Sequence, residues 1–221
     1  MRKVSAILAV CVGLALPAMA HQLWLERDGD VVKEYFGHWP NFKENSDGKR
    51  LEAIKGTDVS PKGVLSKTER AFDHNVLHVN KAGDIGVIEA MEPRKGKLVE
   101  FIVRTLFLAR HGRSESITLL ALDLVPTAPN ANTFTLMLEG KPLPATPVKV
   151  ISPTSWSKTF RSDLDGKVTI ETPWKGDYVA EVSYTDKTKG EVDGKPYEQT
   201  NYIMTLFFTT NEGAEVPTIS Q

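Results

Sequence analysis

Residues 158–171, KTFRSDLDGKVTIE, are the stretch of sequence that best decides the fold. The pair Asp165-Gly166 lies between two short segments rich in β-branched and aromatic residues. It suits a tight hairpin turn, because such turns need positive backbone φ angles. After the turn, Val168 and Ile170 alternate with polar residues, which is typical of a strand with one buried and one exposed face. The stretch therefore predicts a β-hairpin.

The same pattern continues along the chain on both sides of this stretch. Short apolar segments are separated by Gly, Pro, Asn and Asp, and helical periodicity is hard to find. The long apolar segment 98–108 fits either a buried strand or a short helix, and the polar stretch 41–50 is predicted to be a surface loop. We therefore predict an all-β protein. Its expected strands are 22–26, 31–36, 76–79, 85–90, 98–108, 118–125, 134–138, 148–151, 158–162, 168–172, 178–184 and 203–209.

The second half of the chain is the more regular one, with turn signals at similar intervals that favour a small antiparallel sandwich. Residues 126–130, PTAPN, look like the connector that leads into it, because two prolines in four residues disfavour both helix and central strand. The chain is thus predicted to form two β-sandwich-like domains, at 21–125 and 126–221.

The first twenty residues, MRKVSAILAVCVGLALPAMA, have the layout of a signal peptide: a basic head, an apolar run and a small-residue tail. The apolar run is shorter than the roughly 20 residues that a membrane-spanning helix needs. Lipidation at Cys11 is disfavoured because Val10 stands where a small residue is expected. We therefore expect export to the periplasm, cleavage after Ala20, no membrane anchor, and a mature chain that begins at His21.

Cleavage would also remove the single cysteine of the chain, Cys11. A mature protein of this kind has no disulfide, no zinc–thiolate site and no cysteine nucleophile. Of the 27 basic residues, Arg2 and Lys3 would be lost, which leaves 25 against 28 acidic residues and a formal net charge of −3. This balance argues against a nucleic-acid partner, which favours a basic surface.

An amino-terminal histidine is the sharpest chemical feature of the expected mature chain. Its terminal amine and its ring Nδ1 can close one chelate ring around a metal ion, and one further imidazole would complete a three-nitrogen histidine brace. Tetragonal nitrogen-rich sites favour Cu(II), with Ni(II) next. The amine must lose its proton to bind, so affinity is expected to rise through neutral pH. The competing interpretation is that some residue must follow the cleavage site and that His21 is incidental.

Four other histidines could supply the further ligand. His38 is the first choice, because it follows a predicted strand and lies in the aromatic setting YFGHWP, residues 35–40. His78 is a possible third ligand. It is four residues from His74, a spacing that shares one face of a helix or of a strand, although His74 also fits a solvated turn. His111 is flanked by arginines that would repel a cation, so a surface turn is the better interpretation there.

Common enzyme signatures are absent from the sequence: there is no G-x-S-x-G elbow, P-loop, G-x-G-x-x-G or H-E-x-x-H motif. We therefore expect a protein that is not an enzyme. The four tryptophans could form a carbohydrate platform, but such residues are more often packing residues.

The chain resembles the periplasmic proteins of domain-of-unknown-function family 4198, which are related to the nickel-uptake component NikM. The resemblance rests on AHQLWLE at residues 20–26 with Gly37-His38, on LDLVP at 122–126 with EGKPL at 139–143, and on SDLDGKV at 162–168 with GDY at 176–178. It implies metal handling, with His21 and His38 at the family's histidine positions. It also implies an immunoglobulin-like or prealbumin-like second domain. Tyr184 stands in the region where the family often carries a further histidine.

Together these features predict a periplasmic protein that binds nickel, cobalt or copper and acts in metal uptake or delivery. Its expected metal ligands are His21, His38 and His78, its expected ion is Cu(II) or Ni(II), and its expected partner is a membrane metal transporter or an outer-membrane receptor. A histidine-brace copper oxidase or monooxygenase is one alternative. A β-sandwich adhesion or ligand-binding module without metal is another.

Overall fold

The structure of the 221-residue chain is a computed structural model that describes residues 21–97 and 99–216. The predicted signal peptide, residues 1–20, lies outside the described residues. The prediction of an all-β protein is confirmed, since the described chain consists of strands joined by turns and one short 3₁₀ helix at Leu51–Ala53.

Ten of the described strands lie between residues 22 and 138. They are β1 (Gln22–Asp28), β2 (Val31–His38), β3 (Phe42–Lys43), β4 (Val59–Ser60), β5 (Leu65–Arg70), β6 (His74–Val79), β7 (Ile85–Lys95), β8 (Ile102–His111), β9 (Leu122–Pro126) and β10 (Thr133–Leu138). Eight more follow among the described residues: β11 (Lys141–Pro142), β12 (Pro147–Ile151), β13 (Ser157–Arg161), β14 (Lys167–Thr169), β15 (Gly176–Asp186), β16 (Gly190–Val192), β17 (Lys195–Tyr197) and β18 (Gln199–Thr210).

These strands form one large sheet between two smaller ones. The central sheet has seven strands in the order β13-β12-β15-β18-β8-β7-β4, and its β8 and β18 run parallel. A five-stranded sheet contains β1-β2-β6-β5, with β3 added beside β2. A four-stranded sheet is built on β10, which pairs with β9, β11 and β14, while β16 and β17 form a separate hairpin.

The central sheet is buried on both faces. Leu106 and Leu108 of β8 belong to the core shared with the four-stranded sheet, whereas Phe107 and Ala109 belong to the core shared with the five-stranded sheet. Alternate residues of a strand point to opposite faces, so the two cores lie on opposite sides of β8. Phe36 of β2 packs edge-on against Phe107, with ring centroids 5.0 Å apart, and ties the five-stranded sheet to this centre.

The fold corrects the interpretation of the hairpin at Asp165-Gly166. The turn is present, and Gly166 has the expected positive φ of 75°. However, β13 pairs with β12 of the central sheet, whereas β14 pairs with β10 of the four-stranded sheet. The prediction of a simple hairpin is therefore wrong, and the turn carries the chain from one layer to the other. The predicted alternation holds, because Val168 and Ile170 are buried.

Four further expectations change in detail. The ambiguous segment 98–108 contains a strand that begins at Ile102, and the strand predicted to begin at residue 118 begins at Leu122. The stretch 41–50 is not entirely loop, because it contains β3 and the buried Glu44. The central sheet draws strands from both sides of the predicted boundary at residues 125 and 126. The division into two sandwich domains and the immunoglobulin-like or prealbumin-like form of the second stay predictions.

Candidate metal centre

The antiparallel pairing of β1 and β2 brings His21 and His38 together. Gln22 lies opposite Gly37 in this pair, so His21, one residue before β1, reaches the end of β2 where His38 is the last residue. The ring centroids of the two histidines are 4.6 Å apart and their planes meet at 55°. Two residues that are 17 positions apart in the sequence thus form one cluster by strand register alone.

Glu44 is the residue of this cluster that the sequence analysis missed. β3 pairs with the end of β2, and the Glu44 amide donates a hydrogen bond to the Phe36 carbonyl at 2.8 Å. This places Glu44 Oε1 2.5 Å from His21 Nε2, with only 10% of the Glu44 side chain exposed. The one signal in the sequence was an acidic residue soon after Gly37-His38, and the polar residues around it masked that signal.

A glycine is needed at position 37 for β3 to lie so close. Gly37 has a φ of 151°, and a Cβ atom there would lie 2.2 Å from the Phe42 carbonyl oxygen. Real Cβ atoms are not found at such a distance from backbone, so a side chain would force β3 away from β2. Gly37 therefore helps to hold Glu44 against His21.

The contact with Glu44 orients the His21 ring. An ionised carboxylate only accepts hydrogen bonds, so Nε2 is the nitrogen that carries the proton in this contact. In a neutral imidazole the lone pair is then on Nδ1, the nitrogen next to the backbone. A carboxylate that accepts a hydrogen bond from one ring nitrogen while the other faces a metal is a common arrangement around metal-binding histidines.

His38 presents an unpartnered nitrogen in the same cluster. Its Nδ1 atom is buried and makes no hydrogen bond to any described residue. Burial lowers the pKa of His38, the neighbouring His21 and Arg50 lower it further, and Glu44 opposes them. A lowered pKa favours the neutral ring, which is the form that binds metals. A buried polar atom without a hydrogen-bond partner calls for an explanation, and a role of His38 Nδ1 as a metal ligand would provide one.

Arg50 covers the outer side of the cluster. Its Nη1 atom lies 3.0 Å from His21 Nε2 and 3.3 Å from Glu44 Oε1. Since an arginine can only donate and Nε2 is engaged with Glu44, the attraction of Arg50 is to the carboxylate. The Arg50 side chain is 61% exposed, so it can move into solvent without disturbing the core. Phe42, which is also partly exposed, lies beside both histidine rings.

The other histidines lie apart from this cluster. His78 pairs with Val31 at the opposite end of β2, which is about 23 Å from His38 along the strand. Its Nε2 atom is 3.0 Å from Glu69 Oε2. The structure therefore does not bring His78 to His21 and His38. His74 lies opposite Tyr35 and contacts Asp73 at 2.6 Å, and His111 is the last residue of β8.

Tyr184 also lies away from the cluster. It packs against the core between the central and four-stranded sheets, on the face of the central sheet that points away from β1 and β2. Within the described ranges, no group of three or more His, Cys, Asp or Glu side chains is arranged to hold a metal ion. A metal bound between His21 and His38 would therefore need a ligand other than these side chains.

Residues 21–97 and 99–216 include no helix that is both long enough and apolar enough to cross a membrane. Comparisons of the chain with protein-family models, with curated proteins and with solved structures find no match. The resemblance to family 4198 accordingly stays a prediction.

Proposed function

We propose that the chain, processed after Ala20, is a periplasmic protein that binds a transition-metal ion and acts in metal uptake or delivery. The observation that carries the proposal is the pairing of the His21 and His38 rings, 4.6 Å apart, beside an unpartnered His38 nitrogen. His21 would contribute its amine and its ring Nδ1, and His38 would contribute its ring. The metal is the cargo of such a protein, so no catalytic step is involved.

Cleavage supplies the ligand that the side chains lack. In the 221-residue chain the His21 nitrogen is a peptide amide, which is a poor ligand. Processing would turn it into an amine on the same residue as Nδ1, and the two nitrogens would chelate one ion. The support for this ligand set is that Glu44 already holds the opposite nitrogen of the His21 ring.

Three nitrogen ligands without a thiolate favour Cu(II), followed by Ni(II), and cobalt lies lower in the same affinity order. Glu44 would stabilise the site from outside, because its charge partly offsets the added charge of the ion and fixes the His21 ring. Arg50 would move aside as the ion enters, since a cation and a guanidinium repel one another. Because the Arg50 side chain is mostly exposed, this movement should cost little free energy.

A carrier of this kind would pass its ion to a membrane metal transporter or an outer-membrane receptor. The cluster lies at one edge of the five-stranded sheet, with Phe42 and Arg50 exposed beside it. A partner could therefore reach the ion without unfolding the core.

The test compares two forms of the protein by calorimetric titration with Cu(II) and Ni(II). One form begins at His21, and the other carries one additional glycine before it. The native form is expected to bind one equivalent at least about tenfold more tightly, because the loss of a direct ligand should cost no less than the loss of an outer-shell partner. His38→Ala should weaken binding likewise, while His78→Ala, the matched control, should leave it unchanged. Equal affinity of the native and extended forms would overturn the proposal.

A further inference from the structure

A second region with a concentration of charged side chains lies at the other end of β1 and β2. There an open cleft of about 510 Å³ is formed by the β1–β2 turn, the β6–β7 loop, the segment after β8, the β9–β10 loop and the end of β18. Residues that line it include Arg27, Asp30, His111, Arg113, Asn130 and Phe208. Since Arg27 and His21 are six residues apart along β1, about 20 Å separate the cleft from the proposed metal centre.

Arg27 is held in place by backbone oxygens. Its Nε atom donates to the Gly29 carbonyl at 2.8 Å, its Nη1 atom to the Gly83 carbonyl at 2.5 Å, and its Nη2 atom to the Lys81 carbonyl. Each terminal nitrogen of a guanidinium has two hydrogens, so one donor on each remains for another acceptor. The side chain is thus fixed in direction without being saturated.

Arg113 is fixed in a similar way on the other side. Its Nη1 atom donates to the Asn130 carbonyl and to Asn132 Oδ1, and its guanidinium carbon lies 4.9 Å from the centre of the Phe208 ring. Burial lowers the pKa of Arg113, which the charge of Glu212 opposes. A guanidinium held against an aromatic face is well placed to receive an anion bidentately.

Neither arginine of the cleft is within ion-pair distance of a carboxylate of the described residues. The ion pairs formed by described residues include neither Arg27 nor Arg113. Asp84 lines the cleft, but it is already paired with Arg110 at 2.6 Å and accepts hydrogen bonds from Ser114. Asp30 is exposed at the rim. An anion would therefore meet two guanidiniums, with Asp30 at the rim and the charges of Glu212 and Asp177 acting on Arg113 and His111.

His111 forms part of the wall between them. Its ring stacks on Phe207, with centroids 5.6 Å apart and planes at 16°. Burial lowers the pKa of His111 to about 4, Arg27 lowers it as well, and Asp84 and Asp177 oppose them. The imidazole is therefore neutral at physiological pH and can donate one hydrogen bond without adding charge.

We propose that this cleft binds a small organic anion through a carboxylate group, held between Arg27 and Arg113 and contacted by His111. The volume suits a small ligand, since pockets for such molecules begin at about 300 Å³. Asp30 and Asp177 lie nearby and disfavour a doubly charged head group, so a carboxylate fits better than a phosphate. Phe208 offers an apolar surface for the carbon chain of the ligand.

The experiment is an NMR titration of the processed protein with succinate as the probe, followed on the ring resonances of His111. We expect a saturable shift with a Kd of about 1 mM or tighter. Inorganic phosphate, the second probe, should bind more weakly.

Arg113→Gln should weaken succinate binding about tenfold or more, the typical loss for a charged hydrogen-bond partner. Arg94→Gln, which removes the same charge from an exposed position of β7, is the matched control and should bind like the native protein. Circular dichroism establishes that both variants are folded. The proposal is overturned if succinate does not shift His111, if Arg113→Gln binds as tightly as the native protein, or if phosphate binds more tightly than succinate.

Discussion

The carboxylate of Glu44 lies 2.5 Å from Nε2 of His21, on the side of the ring away from the nitrogen nearest the backbone. This one contact fixes the ring direction, and it depends on a strand of only two residues, β3. The candidate metal centre therefore has a support outside its ligands, and that support can be tested separately from the ligands themselves.

Replacement of Glu44 by glutamine should weaken metal binding without removing a ligand. Glutamine keeps the shape of the side chain but loses the charge that orients the His21 ring and offsets the charge of the ion. We expect Glu44→Gln to lower Cu(II) affinity by about 10- to 100-fold. Competition titration against a chelator of known affinity measures this, and Glu52→Gln, at an exposed position of the 3₁₀ helix, is the control. Unchanged affinity in Glu44→Gln would show that the carboxylate has no such role.

A side chain at position 37 should both destabilise the protein and disrupt the centre. In Gly37→Ala the new Cβ would lie 2.2 Å from the Phe42 carbonyl oxygen, so β3 must move. We expect a loss of about 2–4 kcal/mol in the free energy of unfolding, from backbone strain plus the displaced strand. Gly63→Ala is the control, because Gly63 also has a positive φ, of 80°, but has open space around it. This variant should lose about 1 kcal/mol in the free energy of unfolding.

Urea denaturation of the two glycine variants gives both values. Similar losses in the two would mean that β3 yields without cost and that Gly37 matters only for its backbone conformation.

Local pattern in the sequence predicted most of the longer strands but missed β5, and it did not predict how the strands are arranged. The alternation of Val168 and Ile170 with polar residues predicted a strand with one buried face, and both side chains are buried. Nothing near Asp165-Gly166 shows that the strands on either side join different sheets. β13 pairs with β12, the strand just before it, whereas β14 pairs with β10, which lies much earlier in the sequence. The apolar run of β8 was ambiguous for a different reason. A strand that is covered on both faces loses the alternation of apolar and polar residues that marks a strand.

The candidate site was predictable only in part. Gly37-His38 and the expected amino terminus pointed to two residues that strand register does bring together. His78 was placed correctly on a strand, but its distance from His38 depends on the pairing of β6 with β2, which composition does not reveal. Glu44 reaches His21 only because β3 adds to β2, and a two-residue strand leaves no pattern to recognise.

Removal of the buried Arg110 should strongly destabilise the fold. Arg110 is fully buried and pairs with Asp84 at 2.6 Å and with Asp123 at 3.0 Å, both of them also buried. In Arg110→Met the two carboxylates would remain without their cation, at a cost of about 3–5 kcal/mol. Urea denaturation measures it. Adding Asp123→Asn to Arg110→Met should recover part of the loss, because one uncompensated charge is removed, and a double variant less stable than Arg110→Met would contradict this account.

The buried pair Glu34 and Glu89 should make the stability fall at alkaline pH. Glu34 of β2 and Glu89 of β7 are both buried between the five-stranded and central sheets. Glu34 Oε2 accepts a hydrogen bond from Asn75 at 2.7 Å, and Glu89 Oε1 accepts one from the Gly56 amide at 2.7 Å. Burial, followed by the charge of Glu89, raises the pKa of Glu34 to about 8, and burial raises the pKa of Glu89 as well. Two buried carboxylates close to one another repel, so one of them holds a proton.

The sign follows from the direction of these pKa shifts. The folded protein holds the proton of Glu34 more tightly than the unfolded chain, whose glutamate has a pKa near 4.5. Stability from this group is therefore complete below about pH 4.5 and is lost as the pH rises towards 8. Glu34→Gln keeps an acceptor for Asn75 and removes the like charge beside Glu89. It should remove most of this pH dependence and stabilise the protein above pH 8 by on the order of a few kcal/mol.

Urea denaturation of the native protein and Glu34→Gln at pH 5, 7 and 9 is the measurement, with Glu191→Gln, at an exposed position of β16, as the control. The free energy of unfolding of the native protein and of the control should fall from pH 5 to pH 9. The urea denaturation curves of Glu34→Gln at the three pH values should stay close together. Glu89 remains in the variant and keeps its hydrogen bond from the Gly56 amide. It can therefore ionise without a like charge beside it. If the stability of Glu34→Gln fell with pH as steeply as that of the native protein, the proton would have to lie on another group of the fold.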